Sequence, residues 1–355
     1  DKSMEDMGRK YWKKKSYIFQ GFVVTNPLNE DTVPENPIRR FIIGPQIFNI
    51  IRGGVILPSP SWIGYRPQVD LLDKHFHTLK LKPEFNYKIN PDELDSLVSK
   101  IDGTQHMLML NNPHNPTGAV YTKNELEKIT EVCRKHNILV IADEIYALST
   151  YDFSKFVSMG KIYPEGTFIT NGLSKDRSAG GYRLGACILP QSCSQKLRDD
   201  FKKVLATIYT NVSTPTQYAA ITAYEPNEEI EEYFEITRQI HRIMGTYLSE
   251  EWNKVDYVNC TKPEGAFYFF ADFNLLSDDL KRKGVMTSNE LAESLISIPH
   301  YLATVTGDAN MLEPNDYGAR IAFVDYDGKT AIDSYKNVKP KTPSDEIEFV
   351  KQNAP

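Results

Sequence analysis

The chain has 355 residues, with 41 Lys plus Arg against 47 Asp plus Glu, a net charge of −6 and 41% hydrophobic residues. That length allows two domains, or one large domain with an appendage, and the charge pattern has no basic block of the kind that grips nucleic acid. No apolar run approaches the ~20 residues of a membrane span, and the four cysteines form no C-x-x-C pair, so they read as reduced and structural.

The start, Asp1-Lys2-Ser3-Met4-Glu5-Asp6, has no apolar core of a signal peptide, so a cytoplasmic protein is the default. Lys13-Lys14-Lys15 reads as a solvated helix face. Gly44-Pro45-Gln46 precedes Ile47–Ile51, which reads as a helix start. Free backbone N–H groups there suit a phosphate, although Pro45 supplies none.

From about residue 40 to 215, short apolar runs alternate with helical patterns, as in an α/β domain with a largely parallel sheet. Val55-Ile56-Leu57 is the first strand, stopped by Pro58-Ser59-Pro60. Trp62 follows, either as a core residue or as a platform for a flat ring. His106–Leu110 is a second strand. The loop after it, Asn111-Asn112-Pro113-His114-Asn115-Pro116-Thr117-Gly118, is either an ordinary turn or a tight mount for the Asn115 amide; its two prolines restrict the backbone, and one or both are candidates for a cis bond.

Thr122 and Glu125 fit a capping box, and Leu126, Ile129 and Cys133 form an apolar stripe, so a crossover helix begins there. It returns the chain to the strand Ile138–Ala142, which ends at Asp143. A carboxylate after five apolar residues is either a structural cap or ion pair, or the partner of a protonated ring nitrogen. Tyr146, three residues on, is either core packing or a hydrogen-bond partner on the same side.

Thr167–Thr170 is the next strand, followed by Asn171-Gly172-Leu173-Ser174-Lys175. Small residues surround Lys175, which permits close approach of a bulky ligand, and a desolvated lysine can form a Schiff base. Arg183, in Gly181-Tyr182-Arg183-Leu184-Gly185, and Ser174 suit a phosphate, or else a surface ion pair and a turn. Amine, carboxylate and guanidinium together equip the sheet edge for an aldehyde cofactor with a phosphate and a basic ring nitrogen.

Residues 227 to 253 read as one long amphipathic helix. Glu264–Phe270 and Arg320–Val324 read as strands of a second unit, and Thr342 or Ser344 caps a final helix. Arg320, entering an apolar strand, needs an anion: a structural acid or a substrate carboxylate. The expected architecture is α/β, a large domain with a mostly parallel sheet sandwiched by helices, plus a smaller α+β domain. The large domain spans 38–245, and 1–37 with 246–355 forms the small one, its N-terminal segment atypical or truncated.

Asn115-Pro116-Thr117-Gly118, Asp143-Glu144-Ile145-Tyr146, Ser174-Lys175 and Gly181-Tyr182-Arg183-Leu184-Gly185, in this order and spacing, resemble the fold type I pyridoxal-phosphate enzymes, class I/II aminotransferases among them. The likeness runs from about Gly44 to Phe323. It implies that pyridoxal phosphate is held as a Schiff base on Lys175, which also shuttles the proton. It implies further that Asp143 holds the pyridine nitrogen, that Asn115 and Tyr146 contact the ring oxygen, that Ser174 and Arg183 hold the phosphate (with Gly44 and Gln46 beside it), and that Trp62 stacks on the ring. Arg320 would bind the substrate α-carboxylate, with Asn115 beside it, and the molecule would be a homodimer. The implied reaction moves an amino group between an L-amino acid and a 2-oxo acid. The rivals are a carbon–sulfur β-lyase on the same cofactor and a non-catalytic ligand-sensing relative. The segment Thr306–Asn310 lacks the proline and phenylalanine of many relatives, and a substrate-side glycine loop and a tyrosine lent across a dimer are not placed (Tyr11 and Tyr17 being the candidates for the tyrosine).

Overall fold

The computed structural model of the chain describes residues 47–48, 50–210 and 212–354. Gly44, Gln46, Tyr11, Tyr17, Lys13–Lys15 and the 1–37 segment lie outside them. Ile47 and Phe48 are helical and fully buried.

The first part of the chain builds one sheet from β1 (Val55–Ser59), β2 (Phe76–Lys80), β3 (Met107–Asn111), β4 (Leu139–Asp143), β5 (Thr167–Gly172) and β6 (Gly185–Ile188), in the order β2-β1-β3-β4-β5-β6. All neighbours pair in parallel except β6, which runs antiparallel to β5. Successive side chains of a strand point to opposite faces, and here both faces are apolar. Val55, Leu57, Met107, Met109, Ile141 and Phe168 pack on one side, beneath α1 (Tyr65–Asp70) and Phe201. Ile56, Leu108, Leu110, Val140 and Ala142 pack on the other, beneath α2 (Pro91–Val98), α3 (Lys123–Lys135) and the short α4 (Met159–Ile162). Continuous apolar runs therefore became two-sided strands.

The capping box expected at Thr122 and Glu125 is present, and it starts α3 one residue later. Four strands extend beyond the apolar runs, β1 among them, running through Pro58 to Ser59. Asn111, Asp143 and Gly172 are the final residues of β3, β4 and β5 rather than loop residues past them. The backbone pairing carries on through them, Asn111 against Asp143 and Gly172 against Gly185, and the Asn111 side chain donates to the Asp143 carbonyl at 2.8 Å.

Helices α5 (Gln195–Tyr209) and α6 (Thr214–Tyr224) lead to α7 (Glu228–Trp252), a 25-residue helix capped by the Asn227 side chain. The second sheet, entirely antiparallel, has the order β7-β8-β10-β9, with β7 (Asn259–Cys260), β8 (Tyr268–Asp272), β9 (Val305–Thr306) and β10 (Gly318–Ala322). Strand β8 starts at Tyr268, not Glu264. The preceding residues leave the sheet so that Glu264 N and Gly265 N can donate to the Gly118 carbonyl, at 2.8 and 3.0 Å. Strand β10 starts two residues before Arg320.

Alternation along β8 decides how the sheets meet. Phe269 and Ala271 face Ile236, Ile240, Ile243 and Met244 of α7. Phe270 points the other way and enters the core beneath α2 and α3. Burying one phenylalanine is worth about 2 kcal/mol, so Phe270 pins the second sheet to the first. Tyr268, two residues earlier, shares its face. After β8 come α8 (Ser277–Arg282) and α9 (Ser288–Ile296), and the chain ends in α10 (Gly328–Val338) and α11 (Pro343–Asn353), the latter capped by Thr342.

Candidate active site

In open α/β sheets, the carboxyl ends of the parallel strands form the binding edge. Here that edge gathers Asn111 and the 112–118 loop from β3, Asp143 from β4 and the turn after β5. The β3–β4 register sets Asn111 opposite Asp143. The Asn111 side chain then accepts from Asn115 N at 2.6 Å, which seats the loop. Within it, the Asn112–Pro113 bond is cis.

The Asp143 carboxyl is half-buried at the end of β4. Tyr65 donates to its Oδ2 at 2.7 Å, and Ile145 N and Thr170 Oγ1 approach Oδ1 at 3.3 Å. Burial pushes this carboxyl above the ordinary range, opposed by those three donors and by Lys175. Among the described residues it has no ion-pair partner within 4 Å. A carboxylate so placed has a standing demand for a cation.

Lys175 lies in the turn between β5 and β6, 6.0 Å from the Tyr146 ring centre and 5.9 Å from that of Phe267. Burial lowers its pKa, helped by Arg320 and Arg183 and opposed by Asp143. The structure thus brings an amine that loses its proton readily beside a carboxylate that lacks a cation. Among the described residues, Lys175 Nζ makes no hydrogen bond or ion pair.

Arg183 sits at a left-handed position, φ 53°, and donates Nη1 to the Gly180 carbonyl at 2.8 Å. Its Nε is buried without a partner. Ser174 is half-buried on the same turn, and Gly181 has open space around it. These groups leave room and donors for an anion.

Arg320 reaches over from β10. Its guanidinium carbon stands 4.3 Å from the Tyr268 ring centre, and its Nη1 donates to Asn115 Oδ1 at 3.2 Å. Its Nε is buried with no partner, and no carboxylate pairs with it among the described residues. Tyr146 is buried, and its hydroxyl is 3.1 Å from that of Tyr268. Trp62 is half-buried, edge-on to Tyr65 at 78°. Of the residues singled out from sequence, Lys175, Tyr146, Asn115 and Arg320 are linked by these contacts, Asp143 and Arg183 lie within electrostatic reach of Lys175, Ser174 shares its turn, and Trp62 packs on Tyr65, which donates to Asp143. Gly44 and Gln46 are outside the described residues.

Sequence reasoning missed Tyr65, Asn111, Thr170 and Tyr268. Tyr65 had one signal, its position three residues after Trp62, close to one helical turn. Tyr268 had another, the period-two alternation that sets it on the face of Phe270.

A mostly parallel sheet with a lysine-bearing turn at its edge, joined to a small antiparallel unit, is the fold type I architecture of pyridoxal-phosphate enzymes. Residues 44–307 match the family described as aminotransferase class I and II, and the chain belongs to it. The aspartate aminotransferase of Bacillus subtilis is 34% identical over 223 residues, 61% of this chain and 53% of its own length. This chain thus spans about half the length of that curated relative. An aromatic aminotransferase from Pyrococcus horikoshii superposes with a TM-score of 0.69 at 25% identity, over 87% of this chain and 78% of that one. An aspartate aminotransferase from Thermotoga maritima gives 0.68 at 25% identity, over 90% and 75%.

Aspartate aminotransferase family members use pyridoxal phosphate, and the residues present suit it. The unpartnered Arg183 Nε, the open space at Gly181, the cation-demanding Asp143 and the free Lys175 amine answer its phosphate, basic ring nitrogen and aldehyde in turn. Among the described residues no helix is long and apolar enough to cross a membrane, and no cluster of His, Cys, Asp and Glu could hold a metal.

Proposed function

We propose that this chain is a pyridoxal-phosphate-dependent aminotransferase, exchanging an amino group between an L-amino acid and a 2-oxo acid. The observation that carries the reading is Arg320, a cation without an acidic partner among the described residues, held by Asn115 and Tyr268 in the same pocket as Lys175. A guanidinium so placed is a ready fork for an α-carboxylate. Relatives that are aminotransferases support the same reaction.

Pyridoxal phosphate, when bound, supplies an aldehyde that condenses with amines and a ring that withdraws electrons. The chain's residues do the rest. Arg320 orients the substrate carboxylate, with Asn115 fixing the guanidinium. Lys175 Nζ, made less basic by burial and two nearby cations, takes the proton from the substrate α-carbon and would deliver it to the carbon that was the cofactor's aldehyde. Asp143 would keep a proton on the basic ring nitrogen. Tyr146 and Asn115 would face the ring oxygen, Ser174 and Arg183 would hold the phosphate, and Trp62 would lie against the ring.

We further propose a division into 38–245 and 1–37 with 246–355; most of the second sheet's apolar core, built on Phe269, Ala271, Ile321 and Phe323, lies in 246–355, with Ile236, Ile240, Ile243 and Met244 of α7 reaching into it from the first part. A homodimer in the cytoplasm completes the reading. The test mixes pure protein, loaded with pyridoxal phosphate, with each amino acid in turn while the cofactor band is followed. Conversion without an added oxo acid must stop after one turnover. Continuous release of ammonia and pyruvate would instead show a β-lyase, and full activity in Lys175→Ala would refute the assignment.

A further inference from the structure

We propose that Tyr268 is a positioning residue that couples the carboxylate-binding arginine to Tyr146, through its ring on one side and its hydroxyl on the other. This inference rests on the aminotransferase reading above.

Three observations converge on Tyr268. Its side chain is only 5% exposed. Its hydroxyl lies 3.1 Å from that of Tyr146. The Arg320 guanidinium stands over its ring at 4.3 Å. Pairing between β8 and β10 fixes the geometry: Tyr268 is opposite Ala322 and Phe270 is opposite Arg320, so tyrosine and arginine are diagonal neighbours on one face of the sheet. A Cβ on Gly118 would stand 2.7 Å from the Tyr268 carbonyl, so the 112–118 loop lies close against the start of β8.

The chemistry follows from the placement. A cation over the face of a phenol favours its ionised form, so the ring beneath Arg320 belongs to the stronger acid of the two tyrosines. Burial holds both phenols above their ordinary range, Tyr146 the further. The stronger acid donates. Tyr268 thus gives its hydrogen to Tyr146, and the Tyr146 hydrogen is left for another acceptor in the site. Neutralising Arg320 with a carboxylate weakens that donation. Among the described residues, the remaining charged or titratable groups near Tyr146 are Asp143 at the end of β4, Tyr65 in α1 and Lys175 in the turn after β5. None of them bridges Tyr146 to Arg320 as Tyr268 does.

The experiment reads the pH midpoint of the absorbance band of bound pyridoxal phosphate, and the affinity for maleate as a carboxylate probe. Tyr268→Phe keeps the ring and loses the hydroxyl. It should move the midpoint upward by about half a pH unit, about threefold in the acid constant, and leave maleate affinity within about twofold. In a Tyr146→Phe background the same change should add nothing. Tyr268→Leu removes the platform and should weaken maleate about fivefold, the range of one cation–π contact. An unmoved midpoint in Tyr268→Phe, or an effect that simply adds to Tyr146→Phe, overturns the coupling. Unchanged maleate affinity in Tyr268→Leu overturns the platform, and if that variant does not fold, the midpoint in Tyr268→Phe decides. If the unaltered protein takes up no pyridoxal phosphate, the aminotransferase reading fails and this inference fails with it. If it titrates normally and the variants are silent, only the role of Tyr268 is lost.

Discussion

Tyr65 and Asp143 are 78 residues apart in sequence, and the phenol of the first donates a 2.7 Å hydrogen bond to the carboxylate of the second. The bond joins α1 to the end of β4, and it is the shortest of the contacts that oppose the upward pull of burial on Asp143.

Tyr65→Phe removes that donor while keeping the ring against Trp62. A hydrogen bond to a charged group contributes about 1.5–3 kcal/mol. Pyridoxal phosphate should bind roughly tenfold or more weakly, because Asp143 then holds its own proton more tightly. Absorbance titration of the cofactor checks this; equal affinity in the variant would show that the phenol is idle.

Arg320→Lys keeps a positive charge but gives up the planar fork. Substrate KM should rise on the order of a hundredfold, with a smaller fall in kcat, since bidentate recognition of a carboxylate is lost. Removing the charge in Arg320→Met should also raise the pKa of Lys175, because this cation is the second cause of its depression after burial. The pH dependence of Lys175 labelling by an amine-reactive reagent, in protein without cofactor, reads that shift directly.

Stability should depend on pH through two groups of opposite sign, the buried Glu144 and the half-buried His241. Burial lifts Glu144 to about 7 against an ordinary 4.5, despite donation from Ser158 Oγ and Met159 N at 2.9 Å each. A raised folded-state pKa means that its contribution is full below pH 4.5 and is lost as pH rises towards 7, by up to roughly 3 kcal/mol. Burial lowers His241 to about 4 from 6.5. Its contribution is present above pH 6.5 and is lost as pH falls towards 4. Urea unfolding at pH 5 and pH 7 should therefore show Glu144→Gln gaining on the parent as pH rises. His241→Leu should gain on it as pH falls.

Gly118→Ala tests the seam between the two sheets. Gly118 has φ +73°, and a Cβ there would meet Pro263 Cβ and the Tyr268 carbonyl, each at 2.7 Å. Left-handed strain and a backbone clash together should cost about 2–4 kcal/mol. Thermal unfolding should drop by several degrees, with pyridoxal-phosphate affinity falling as Asn115 and Tyr268 shift.

Much of this was legible in the chain itself, for definite reasons. Buried parallel strands must be continuously apolar, so β1, β3, β4 and β5 announced themselves, and the carboxylate and amine at their ends stood out against them. The Thr122–Glu125 box marked α3 because two side chains must answer two orphan N–H groups. Tyr65 and Tyr268 did not stand out. An aromatic residue in an apolar run satisfies the core by its ring alone, and the partner of its hydroxyl lies 78 or 122 residues away. The early end expected for β3 and β4 has a similar origin: a polar side chain looks like a stop until its partner on the next strand is known.

The reversed strand β6 closes a hairpin on β5, with Gly172 opposite Gly185. Lys175 and Arg183 both ride on its loop, whereas Asp143 ends a parallel strand locked between neighbours and Asn115 is seated by the last residue of another. The two cations are therefore the adjustable half of the pocket. Lengthening or shortening residues 176–181 would retune the span from amine to guanidinium and leave the acid and the amide in register, while a single-residue slip in β4 would turn Asp143 to the opposite side of the sheet.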